Sequence, residues 1–307
     1  MNELVASKLK KITGFNLIFC IGVILWGAFV RATGSGAGCG AHWPLCNGKV
    51  IPRTHSAELI IELTHRLTSG LFLIGIIAAL IYTFRKVEKG HAIRKAAVVS
   101  LVFVLIEAAV GAGLVLLELV ADNVSSYRVY WVGSHLVNTF ILVGVLTVNY
   151  WLIKAKEIPK NLFSLKGSRL WVVCLILFLL VASSGAIVAL GDTLFPVNSL
   201  AEGIKQDLDP TSHFLIRLRV IHPILAIISA ALICWFALIV KKSMPDTKAS
   251  KYSHAIFAGV LTQVGVGVVN MLLLAPVWIQ MVHLLLANIV WIYLVLCGLE
   301  KSKQQAS

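Results

Sequence analysis

Nine histidines occur in this chain of 307 residues, and four of them, His65, His135, His222 and His283, each stand near the start of a long apolar stretch. Neutral imidazole is the commonest side-chain metal ligand. One such histidine alone reads as a helix–helix hydrogen-bonding residue. Four at corresponding places read as ligands, because an ionisable group inside a membrane is costly and marks a functional site by default. Two histidines facing each other across a four-helix bundle suit one centre with two axial ligands. Bis-imidazole haem is the natural candidate, since a flat macrocycle fits between helices that present ligands from both sides. Zinc would call for three or four ligands, and no Cys or Asp accompanies these pairs.

The neighbours of the histidines extend this chemistry. Arg66, Arg217 and Arg219 lie within five residues of a candidate ligand, with Arg31 and Arg128 at the same face. Arginine binds carboxylates bidentately, as haem propionates require; the alternative is interfacial snorkelling. In IIELTHRLTSG, Glu62 and His65 are three apart and share a helix face. Glu62 is a candidate catalytic carboxylate, or a first-turn acid favoured by the helix dipole. The corresponding position before His222 is Arg219, in RLRVIHP. One bundle could therefore hold a reacting substrate beside a carboxylate and the other a permanent electron-transfer haem. Ser69, Gly70, Gly111 and Gly113 would admit a macrocycle to the backbone, or serve ordinary helix packing. Cys39 and Cys46, in ATGSGAGCGAHWPLCNGK, could form a structural disulfide or a redox-active pair; a metal site with His42 lacks an obvious fourth ligand. Cys20, Cys174, Cys234 and Cys297 are expected to pack.

The elements that must position these residues are membrane helices. The residues AVILMFWYC make up 58% of the chain and charged residues 13%, a balance that excludes soluble domains, disorder and secreted disulfide scaffolds. Eight stretches reach the length of a span, at about 12–33, 60–84, 95–118, 130–153, 169–191, 214–240, 254–275 and 278–299. The first is too long, and lacks the cleavage site, for a signal peptide. The net charge of +13 would suggest nucleic acid in a soluble protein. Here 19 of the 27 Lys and Arg residues, with only 5 of the 14 acids, fall in the N-terminus, the C-terminus and the linkers after spans two, four and six. The positive-inside rule then puts both termini in the cytoplasm, and no nucleic-acid partner is expected.

The halves also repeat. GAFVRATGSG from Gly27 matches GAIVALGDT from Gly185, and LIEAAVGAGLVL matches VLTQVGVGVVNM. HLVNTFILVGVL from His135 likewise matches HLLLANIVWIYL from His283. The expected architecture is all-α and integral to the membrane: eight transmembrane helices as two pseudo-symmetric four-helix bundles. Residues 1–155 form the first bundle, 156–168 a cytoplasmic linker and 169–307 the second. In this register Glu107 of span three faces Gln263 of span seven, and either proton relay or hydrogen-bonded packing suits an acid there.

GSGAGCGAHWPLCNG followed by IELTHR, with four histidines in two repeated halves and GAIVALGD with RLRVIHP in the second, resembles the haem A synthase family over essentially the whole chain. The resemblance implies oxidation of the C8 methyl group of haem O to the formyl group of haem A by successive hydroxylations, for cytochrome oxidase. It implies haem O, and its product haem A, between His65 and His135, and haem b between His222 and His283. Arg66, Arg217 and Arg219 would be cofactor-binding and Glu62 would assist the oxidation. Cys39 and Cys46 correspond to loop cysteines needed for full activity in some members. Implied partners are a haem O synthase, cytochrome oxidase assembly factors, membrane lipid and, as an open alternative, a second copy of the chain in a homo-oligomer. The implied location is the cytoplasmic (inner) membrane. Some members carry a second cysteine pair between spans five and six; DTLFPVNSLAEGIKQDLDPTSHF has none, so a thiol relay between loops has no basis here. On the histidine pairs alone, a dihaem cytochrome b-like electron carrier is the alternative.

Overall fold

A computed structural model describes residues 3–50, 52, 56–155 and 169–306; the expected cytoplasmic linker at 156–168 lies outside the described residues. The chain is helical throughout, with no β-strand among the described residues. Continuous apolar runs leave the backbone no partner in lipid but itself, which forces helix. The long helices are α1 (Glu3–Ala32), α2 (Ala57–Lys86), α3 (Ala92–Leu116), α4 (Ser126–Lys154) and α5 (Arg169–Leu194). After the short helices α6 (Leu200–Leu208) and α7 (Phe214–Arg217) come α8 (Ile221–Ser243), α9 (Lys248–Leu272) and α10 (Val277–Ala306). Eight helical segments are long and apolar enough to cross a membrane, with α7 and α8 forming one of them. The protein is a multi-pass membrane protein.

Helix starts follow local side-chain chemistry. Ser56, Ser125 and Thr247 accept hydrogen bonds from the Leu59, Arg128 and Ser250 amides, satisfying donors that a first turn leaves free. The sixth span, expected as one helix, is interrupted. A 3-10 turn at Leu218–Val220 separates α7 from α8, immediately before His222 and Pro223. Proline has no N–H and its ring collides with the carbonyl four residues back, so the helix cannot run regularly through this point. The loop at 192–213 is also more ordered than expected. It contains α6, capped by Ser199 and apolar at Leu200, Ile204 and Leu208.

Helix α1 packs on α2 and α4, α2 on α3, and α3 on α4, closing a ring. Likewise α5 packs on α8, α8 on α9, α9 on α10, and α10 on α5. The sets meet through α1 and α4 on one side and α5 and α10 on the other. In its most apolar stretch α4 is 67% buried, against 6% for α5 and 11% for α9, so α4 is the central helix. At the junction Phe140 meets Phe178 at 5.3 Å and Trp291 at 6.0 Å between ring centres. Gly144 makes room for Trp291, since a Cβ there would lie 3.2 Å from the indole nitrogen. Outer faces expose Ile81, Leu105 and Leu261, apolar surface that suits lipid.

Candidate functional site

One cavity of about 1550 Å³ is lined by His65, His135, His222 and His283 together. Its volume exceeds the roughly 300–1,000 Å³ of a site for one drug-sized ligand. Each histidine lies against a glycine on the preceding long helix. A Cβ on Gly27 would stand 2.8 Å from His65 Cε1, one on Gly185 3.0 Å from His222 Cε1, and one on Gly267 3.1 Å from His283 Cε1. At Gly111 the distance to His135 Cε1 is 3.7 Å. The rings of His65, His222 and His283 rest on bare backbone, so Gly27, Gly185 and Gly267 are seats for the imidazoles, while at Gly111 the contact with His135 is an ordinary one. The repeated motifs that begin at Gly27 and Gly185 carried this signal, although the glycines on α2 and α3 drew the attention. Of those, Gly111 faces His135, whereas Gly113 accommodates Trp131, 2.3 Å from an added Cβ. Ser69 bonds back to the His65 carbonyl at 2.7 Å within its own helix, and Gly70 has open space beside it.

Around the rings the two halves differ. Nδ1 of His65 is buried with no hydrogen-bond partner. His222 Nδ1 lies 3.0 Å from Ser184 Oγ, and His283 Nε2 lies 3.2 Å from Gln263 Nε2. His135 Nδ1 is 3.3 Å from Glu107 Oε1, close but not aligned as a hydrogen bond. Buried polar atoms are rarely left unpaired, and Nδ1 of His65, His135 and His283 all are. No three His, Cys, Asp or Glu side chains among the described residues gather as a metal-ion site. Paired imidazoles in a largely apolar cavity suit a planar macrocycle that already supplies the equatorial ligands.

Glu62 is 3% exposed and lines the cavity with His65. Its Oε2 accepts the Cys39 amide at 2.7 Å, and its Oε1 accepts Arg66 Nε–H at 3.1 Å and a second hydrogen bond from Arg66 Nη2. Arg66 Nη1 then donates to the His42 and Leu45 carbonyls. A disulfide joins Cys39 to Cys46. The loop thus rests on the start of α2, closely enough that a Cβ on Gly38 would lie 2.5 Å from the Glu58 carbonyl carbon. The other four cysteines are free thiols.

The arginines separate into three kinds. Arg219 is buried and donates from Nη2 to the Gly191 and Phe195 carbonyls, with Asp192 at 3.2 Å and Asp207 at 3.7 Å. Burial pushes the Asp207 carboxyl up, against the opposing pull of Arg219. Arg31 reaches from α1 to the Ala189 carbonyl, Thr193 Oγ1 and Gln280 Oε1. Arg128 holds the Ala121 and Asn123 carbonyls. All three line the cavity, as does Arg66. Arg217 does not: it is exposed, with a 3.5 Å contact to the Pro210 carbonyl. Asp192, Asp207 and Gln280 escaped the sequence reading, because their pairing joins elements far apart in the chain.

The sequence model of the COX15-CtaA family, described as cytochrome oxidase assembly protein, matches residues 10–295. A Thermus thermophilus protein named protohaem IX farnesyltransferase is 40% identical over 268 residues, which is 86% of this chain and 43% of that protein. A Staphylococcus saprophyticus haem A synthase is 32% identical over 62% of this chain and 64% of its own length. A Staphylococcus aureus haem A synthase is 28% identical over 81% of each. The chain therefore spans less than half the length of the first of these relatives.

Proposed function

The chain belongs to the COX15-CtaA family of cytochrome oxidase assembly proteins, and on that premise we propose that it is a haem A synthase, an oxidoreductase that converts the C8 methyl group of haem O to the formyl group of haem A by successive hydroxylations. The observation that carries the proposal is the cavity shared by four histidines, each lying against a glycine. The relatives named haem A synthase support it.

In this reading the protein has two pseudo-symmetric bundles with both termini in the cytoplasm. The equivalent placing of His65 against Gly27 and His222 against Gly185, and of His135 against Gly111 and His283 against Gly267, supports the symmetry. His65 and His135 hold haem O and release haem A, and His222 and His283 hold haem b. When bound, haem supplies one-electron redox chemistry and a site at iron whose properties its ligands tune. The residues of the chain do the rest. Arg66 orients Glu62 by a two-point contact, and the Cys39 amide fixes the other carboxylate oxygen. Glu62 is thereby held at the cavity wall, where it can take or return a proton at its carboxylate oxygens during oxidation of the methyl carbon. The Cys39–Cys46 loop closes the wall behind it. Arg219, Arg128, Arg31 and Arg66 line the cavity, where they can meet propionates. Arg217 stands outside the cavity lining.

The family description supports cytochrome oxidase assembly as the product's destination. A haem O-forming farnesyltransferase is a natural partner, in keeping with the name of the Thermus relative, and the cytoplasmic membrane is the corresponding location. Expression beside a haem O producer, with pigments extracted and identified by mass, tests the proposal. Haem A should appear with the intact chain; haem B alone at both sites would refute it.

A further inference from the structure

We propose that Glu107 is a positioning residue for His135, set behind its ring and making the first-half haem site electronically unlike the second. The proposal rests on the haem-site reading above. Glu107 lies on α3 and lines the cavity. Its Oε2 accepts a hydrogen bond from Asn138 Nδ2, and its Oε1 accepts one from Thr139 Oγ1. Both donors belong to α4, within the turn that follows His135. The carboxylate is thus clamped on the helix that carries the ligand, with Oε1 3.3 Å from His135 Nδ1. A carboxylate in that place can only accept, so it favours the ring with a proton on Nδ1 and leaves Nε2 as the electron-pair donor.

The second half has a neutral residue at the matching sequence position. Gln263 of α9 approaches His283 of α10 through its amide group, 3.2 Å from Nε2. That is the other ring nitrogen from the one Glu107 stands behind, and an amide carries no charge. Negative charge behind an imidazole makes it a stronger donor and favours the higher oxidation state of a bound iron. In the apolar cavity this effect is screened less than in water. Two sites that share paired histidines therefore differ in potential, through the charge that Glu107 brings to the first.

The experiment is a redox titration of the purified, haem-loaded protein, followed optically and by electron paramagnetic resonance. Glu107→Gln should shift the ferric/ferrous equilibrium of the first-half haem about tenfold toward ferrous, equivalent to 59 mV for a one-electron couple, and should leave the second-half haem unchanged. Glu107→Asp keeps the charge and should retain most of the original potential. Asn138→Leu, which removes one of the two donors that fix the carboxylate on α4, should shift the first-half haem part of the way in the same sense, which keeps the proposal testable if the Glu107 variants fail to load. A fully loaded Glu107→Gln protein with unchanged potential and ligand-field signals would overturn it, as would a loaded Asn138→Leu protein with no shift. Failure of the haem-site reading looks different: His135→Ala would then lose no pigment at all.

Discussion

Glu62 Oε2 accepts the backbone N–H of Cys39 at 2.7 Å, so the carboxylate one turn before His65 is bonded to the very residue whose sulfur closes the loop disulfide. Loop and helix form one unit, with Arg66 bridging Glu62 to the loop carbonyls. A carboxylate fixed at both oxygens keeps a single position at the cavity wall.

Replacing that carboxylate separates its chemistry from its anchoring. Glu62→Ala should leave haem bound in both halves but lower haem A formation by at least about 100-fold, the lower end of what general acid–base groups contribute. Glu62→Gln keeps an oxygen for the Cys39 amide and should be as inactive but more stable. Haem A yield by mass and thermal melting read the two effects, and a normal yield in either variant removes the carboxylate from the reaction.

The disulfide is expected to act as a brace. The double change Cys39→Ser with Cys46→Ser should cost about 2–4 kcal/mol of stability and reduce haem A yield only in part. Wild-type protein treated with reductant should behave the same way, measured by melting and turnover. A reductant-sensitive turnover with unaltered melting would instead mark a redox-active pair.

The two histidine pairs should fail separately. His65→Ala should abolish capture of the substrate haem and spare the second-half haem, while His222→Ala should do the reverse. Pigment stoichiometry after purification decides, and loss of one shared haem from both variants contradicts two sites.

The glycine seats give a steric test with a built-in control. Gly27→Ala places a Cβ 2.8 Å from His65 Cε1 and should cost about 1–3 kcal/mol by overpacking, with first-half haem weakened. Gly22→Ala lies in open space on the same helix and should be neutral. Equal haem content in the two variants would show that the seat is dispensable.

Arg31 joins α1 to α5 and α10 by three hydrogen bonds. Bonds to charged groups contribute about 1.5–3 kcal/mol. Arg31→Ala should therefore lower the melting temperature, and Arg31→Lys should restore only part of it, since a lysine cannot reproduce the fork. A melting curve identical to wild type would remove this tie from the account of the junction.

Much of this was legible in the residues themselves. Apolar runs dictate helices in a membrane because lipid offers the backbone no partner, and eight runs became eight spanning segments. The type and spacing of His65, His135, His222 and His283 marked the site, and the structure gathers all four on one cavity. The break before His222 was half visible in Pro223; α6 was not foreseen, being short and set in a long polar loop.

The sequence by itself determined the element type, the number of spans and the residues worth suspecting, since hydrophobic periodicity and residue chemistry are local properties. Only the tertiary structure decided what those residues face. Arg219 and Arg217 are two positions apart, yet one is buried between Asp192 and Asp207 and the other is exposed. Glu107 meets His135, and Glu62 meets Cys39, across contacts between helices or between helix and loop. Which side of a helix turns inward is fixed by packing against partners distant in the chain, and no local pattern records it where a span is apolar all round.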